Sequence, residues 1–190
     1  KVNKKLVFGG TLVLLLLGGA IALAAQFGLF HGDIRQLARY TEVGVGIANI
    51  TDNSMSVWWL QGSRVGGCVT ITDTKSQKQV NKCDEKESRI HLIDVSGLNP
   101  GSSYRVDIKH GGVSVPLSPF WGQAIWTRSV GARQTPERVS GRVIDSKNRP
   151  VTDAIVFVGS TASDRMYIPL AVTTNGLGIF SVDLAILKMQ

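Results

Sequence analysis

The sequence predicts a mainly β protein: an N-terminal apolar α-helix, transmembrane or filament-core, followed by two tandem β-sandwich domains. Three observations predict it. Residues 6–30 carry no charge, and their only polar side chains are Thr11 and Gln26. From Val43 onward the apolar residues recur with period two in short runs, as half-buried strands require. A polar, proline-containing stretch at 131–138 separates two such blocks. The implied division is 1–40 for the helix and an amphipathic linker, 43–128 for the first sandwich, 129–138 for a linker and 139–190 for the second sandwich. The chain has 190 residues, 43% of them hydrophobic, an ordinary globular composition. No second run approaches ~20 apolar residues, which excludes a polytopic membrane protein.

As a helix, residues 6–30 reach roughly 37 Å, enough to cross a hydrocarbon core of ~30 Å. Lys1, Lys4 and Lys5 precede the run and predict an N-terminus on the cytoplasmic side. A secretory signal with a small-x-small site at Ala22-Leu23-Ala24 competes with a retained anchor. The length of the run, and its continuation through Phe27 and Phe30, favour the anchor. Small residues at Gly18, Ala20, Ala22, Ala24 and Ala25 permit close helix packing, so the helix is expected to associate with copies of itself. A basic start, a hydrophobic helix and a β-rich head resemble the plan of type IV pilin-like subunits. That resemblance implies helices bundled as a filament core, although Lys5 stands where bacterial pilins carry glutamate. Ile34, Leu37, Ala38 and Thr41 then follow at helical spacing, a short amphipathic extension.

In the first block, strands are expected over residues 44–51, 54–60, 68–74, 80–83, 88–95, 103–108 and 123–128. Met55, Val57 and Trp59 share one face of the second of these. Met55-Ser-Val-Trp-Trp59 resembles the second strand of a fibronectin type III domain, with Trp59 as the core tryptophan. Residues 97–108, GLNPGSSYRVDI, resemble that family's leucine, proline-glycine turn and corner tyrosine. The resemblance implies that Trp59, Leu98 and Tyr104 pack the core, and that the Tyr104 hydroxyl bonds nearby backbone. Trp58 alternates outward, either as a surface contact for sugar or peptide or as cover for a neighbouring strand or domain.

Cys68 and Cys83 are the only cysteines. On adjacent expected strands they form a disulfide, worth ~3 kcal/mol in the chain-entropy model. Zinc is a poor alternative, because two thiolates need two more ligands and the histidines are scattered. A disulfide requires an oxidising compartment, in agreement with the lysine-inside topology. Asn49-Ile50-Thr51 is a formal glycosylation sequon.

The second block resembles the carboxypeptidase-regulatory-like family in Gly141-Arg-Val143, the turn Asn148-Arg-Pro150, residues 154–158 and residues 173–180. The resemblance implies a small transthyretin-type sandwich acting as a non-catalytic spacer or binding module. Ile186, Leu187 and Met189 lie near its end, where an open sheet edge would invite strand addition.

No nucleophile elbow, phosphate loop, zinc-protease motif or calcium loop occurs, so no catalytic, cofactor-binding or metal residue is assigned. Asp84, Glu85 and Glu87, flanked by Lys82 and Lys86, read as a solvated loop in preference to a weak calcium site. The net charge is +7. Without the three N-terminal lysines, 18 basic residues face 14 acidic ones. They form no basic, aromatic-interleaved run, which argues against nucleic acid. The expected function is a non-enzymatic cell-surface structural or adhesive subunit. It is placed at the cell membrane as a single-pass anchor or in a surface filament, with membrane lipid and copies of itself as partners. The alternatives are a monomeric anchored module for glycan or protein, and the accessory domains of a larger surface enzyme. Alkylation of native, unreduced protein should label neither Cys68 nor Cys83, and should label both after reduction. Two free thiols would place this region in a reducing compartment.

Overall fold

A computed structural model describes residues 11–17, 20–22, 44–117, 124–131, 135–160 and 168–188. The first sandwich uses β3 (Val45–Ala48), β4 (Ser54–Asp73), β5 (Gln79–Ser96), β6 (Ser103–His110), β7 (Val113–Val115) and β8 (Ile125–Trp126). β4 and β5 are long enough to serve two layers. Their ladder breaks register between Leu60 and Val65 and again between Val65 and Gly67. Irregularities of this kind bend and twist a strand. Before the break, β4 pairs with β3 and with the C-terminal half of β5. Beyond it, β4 pairs with the N-terminal half of β5 and with β6, which in turn carries β7 and β8. The strands expected separately at 54–60 and 68–74 are thus one, as are those at 80–83 and 88–95.

The glycine at position 67 has a steric reason to be there. A Cβ on Gly67 would lie 2.2 Å from the Trp59 ring, so the tryptophan demands a residue without one. Between the layers lie Val57, Trp59, Ile93 and Val95 from one side, facing Val69, Ile71, Val106 and Ile108 from the other. Trp59, Leu98 and Tyr104 are all buried, as expected. The Asn99 N–H donates to the Tyr104 hydroxyl oxygen at 2.7 Å. Cys68 and Cys83 are directly opposite on β4 and β5 and are bridged.

The second sandwich contains β9 (Arg138–Arg142), β10 (Ile155–Ser160), β11 (Leu170–Thr173) and β12 (Ile179–Asp183), and ends in a helical turn, Ala185–Lys188. β9 and β12 form one two-stranded sheet. β11 and β10 form the other, extended by β1 (Thr11–Leu17) and β2 (Ala20–Ala22). Val156, Val158 and Leu170 meet Val143, Phe180 and Val182 between these sheets. Ile186 packs against that cluster, so it does not stand at an open edge as anticipated. Met189 lies outside the described residues.

The N-terminal run departs from expectation. Thr11–Leu17 pairs antiparallel with β10, and no helix among the described residues is long and apolar enough to cross a membrane. An unbroken apolar run has no period that separates helix from buried strand. Its backbone groups can be satisfied within a helix or along a sheet edge, and β10 supplies an edge. Ala20 and Ala22, assigned to helix self-association, fall in β2. Gly18, Ala24, Ala25 and the linker at 31–40 lie outside the described residues.

Trp59→Ala should lower unfolding stability by ~3–5 kcal/mol, and Tyr104→Phe by about 1 kcal/mol through its lost hydrogen bond. Both are read from denaturant midpoints. Asp73 accepts the Ser76 and Lys75 N–H groups at 2.8 and 2.9 Å. The Ser76 bond foremost holds its carboxyl below the ordinary carboxylate range. The Arg149 backbone N–H does the same for Asp145. Both groups therefore contribute stability at pH above roughly 4, and it is lost as pH falls through the lowered folded value. Urea midpoints at about pH 5 and pH 3 should differ less in Asp73→Asn than in the parent.

Candidate functional site at the junction of the sandwiches

Alternation along β4 and β5 gives the first sandwich a second apolar face. Met55, Val57 and Trp59 point into its core. Trp58 on β4 points the other way, with Ile90 and Leu92 on β5. The second sandwich covers this face with Ile155 and Phe157 of β10 and Ala171 of β11. Trp58 is 0% exposed and stands edge-on to Phe157, ring centroids 4.8 Å apart. It is a junction residue and cannot be a surface contact for sugar or peptide. Its indole N–H has no partner among the described residues, and a Cβ on Gly46 would lie 2.8 Å from that nitrogen.

Asn49 provides the polar half of the junction. Its backbone is left-handed, φ 51°, a conformation that asparagine tolerates better than most residues. The side-chain amide then lies alongside β11 as a strand would. Nδ2 donates to the Ala171 carbonyl at 2.7 Å, and Oδ1 accepts the Ala171 N–H at 2.9 Å. Nδ2 also donates to the Ser56 hydroxyl at 2.8 Å, and that hydroxyl donates to Asp94. The Asn49 N–H reaches the Pro169 carbonyl. The sequon asparagine is therefore committed to holding two sandwiches together. At the rim, Lys86 meets Asp153 at 2.7 Å with both side chains more than half exposed, a pair of little energetic weight. Arg128 donates to the Ile186 carbonyl, and burial pulls its pKa down from the ordinary arginine value.

A second polar group lies inside the first sandwich. His91 and His110, scattered in sequence, meet edge to face with ring centroids 5.3 Å apart. His91 stacks on Trp59 at 4.6 Å, and the Trp59 indole N–H donates to His110 at 3.3 Å. Asp84, part of the acidic group read as a solvated loop, faces His91 at 3.2 Å. Among the described residues no three His, Cys, Asp or Glu side chains are placed to hold a metal ion. Sequence reasoning missed both histidines, because their positions on β5 and β6 come together only through the pairing of each strand with β4. It missed Asn49 as well, whose one local signal was an isolated polar residue closing an apolar strand.

Trp58→Ala should cost ~3–5 kcal/mol, and Trp58→Phe clearly less, because no described residue bonds the indole N–H. Asn49→Ala should cost about 1–3 kcal/mol by stranding the Ala171 backbone groups. In calorimetry the parent should unfold in one transition, and Trp58→Ala/Asn49→Ala in two as the sandwiches uncouple.

No protein-family model and no curated protein matches this chain. Solved structures do show similarity. One is the sensor domain of the anti-sigma factor RsgI4 of Pseudobacteroides cellulosolvens, at 16% identity and TM-score 0.33, covering 46% of this chain and 97% of that one. Another is a computationally redesigned β-sandwich protein, at 21% identity and TM-score 0.34, covering 46% and 93%. A third is a segment of two fibronectin type III domains from chicken tenascin, at 14% identity and TM-score 0.33, covering 73% and 80%. These neighbours lend no support to the pilin-like plan or to the carboxypeptidase-regulatory-like module. The β-sandwich fold of this chain stands on its own strand register.

Proposed function

We propose that this protein is a non-catalytic cell-surface subunit in which two β-sandwiches act as one stiff body, held at or assembled on the surface by the N-terminal apolar segment once that segment leaves the β10 edge. The observation that carries this reading is the junction: Trp58, Phe157 and the Asn49 amide fasten one sandwich to the other. A sealed apolar contact with directional hydrogen bonds resists the hinge motion that is the default between tandem domains. The disulfide supports an oxidising compartment, and the lysines before the apolar run support a cytoplasmic N-terminus.

Fractionation of cells expressing the full chain tests the placement. The chain should sediment with membranes and keep its disulfide after alkaline washing; release into the soluble fraction with both thiols reactive defeats the proposal. Negative-stain micrographs of the purified material separate its two forms, ordered filaments for the assembled subunit and dispersed particles for the tethered one.

A further inference from the structure

The two buried histidines have partners at every ring nitrogen, and the partners differ in kind. His110 Nδ1 faces the Trp59 indole N–H at 3.3 Å. An indole only donates, so Nδ1 accepts, and the single ring proton sits on Nε2. That nitrogen donates to the Ser63 carbonyl at 3.1 Å. His91 has the opposite surroundings. Nδ1 lies 3.2 Å from an Asp84 carboxylate oxygen, and Nε2 lies 3.1 Å from the Ser88 carbonyl. Both of these groups only accept. A neutral imidazole has one N–H, and would aim its remaining lone pair at an oxygen.

From this we infer that His91 is held as an imidazolium, paired with Asp84 and stacked on Trp59, and that its second proton fastens residues 84–88 to the first sandwich. The stacked indole, 18° from parallel at 4.6 Å, stabilises a cation through its ring face. His110 stays neutral in this arrangement, so the pair does not bring two positive charges together. The groups facing His91 are Asp84 and Ser88 from β5, Trp59 from β4 and His110 from β6. Asp84 is the one carboxylate among these groups, and it also accepts the Lys86 N–H at 2.9 Å.

The fastening has a reach beyond the ring. Residues 84–88 carry Lys86 to Asp153 of the second sandwich, and Ile90 and Leu92 follow on the same strand into the junction. Loss of one proton strands one of the two acceptors and loosens the strand that seals the sandwiches. The inference rests on ring geometry alone and is independent of how the chain is tethered.

Nitrogen-15 spectra of the histidine rings in the full chain test it first. At about pH 6 both His91 nitrogens should carry protons, and only Nε2 of His110. Amide exchange tests the consequence. At one fixed pH, protection of residues 84–88 should fall roughly tenfold in His91→Gln, which cannot carry the charge, while β6 keeps its protection. Asp84→Asn, which removes the charged acceptor, provides the same test should His91→Gln not fold. A single protonated nitrogen on His91 at about pH 6, or unchanged protection of residues 84–88 in the variant, overturns the inference.

Discussion

Neighbouring residues on a strand point to opposite faces of its sheet, and this chain places tryptophans at both 58 and 59. That constraint organises the molecule. Trp59 turns inward, requires glycine at 67, stacks on His91 and donates to His110. Trp58 turns outward, requires glycine at 46 and needs an apolar cover. β5 repeats the division, sending Ile93 and Val95 to the core and Ile90 and Leu92 to the junction. A single sandwich would leave Trp58, Ile90 and Leu92 in water. The second sandwich is thus part of the burial that the first one needs. β10 answers with an unbroken Ile-Val-Phe-Val run, buried on both faces.

The two kinds of junction contact have different roles. Burying a large aromatic side chain is worth roughly 1.5–3 kcal/mol, but apolar contact alone does not fix how two sheets are set against each other. The paired bonds between Asn49 and Ala171 are directional, and they exist only at one position along β11. They set the register, while Trp58 and Phe157 supply the attraction. The disulfide has a comparable role within the first sandwich. It lies one residue beyond the register break in β4, and pins the distal half of the β4–β5 ladder at Cys68 opposite Cys83. Slippage by one residue there would turn Val69 and Ile71 out of the core.

Much of this was legible in the sequence. Period-two alternation located the strands of the first sandwich, and the buried roles of Trp59, Leu98 and Tyr104 followed from residues 55–59 and 97–108. The cysteine pair was legible for the same local reason. What escaped was whatever depends on two distant segments at once. The requirement for glycine at 67 was not legible, because it comes from the Trp59 ring and not from the local chain. His91 and His110 gave no spacing signal, since β4 alone brings β5 and β6 together. At the N-terminus the structure pairs Thr11–Leu17 with β10 where a helix was expected, because an unbroken apolar run has no period that tells a helix from a strand.

The shared face bears on how such a chain can be taken apart. Tandem β-sandwiches strung on polar linkers are interchangeable parts, since each closes its own surface and can be duplicated, deleted or grafted without loss to its neighbour. Here Trp58, Ile90 and Leu92 on one side and Ile155 and Phe157 on the other form a single seam. A cut through the polar stretch at 131–138 would divide the chain at its most linker-like sequence and still expose both halves of that seam. The unit of inheritance, and of recombinant expression, is the pair.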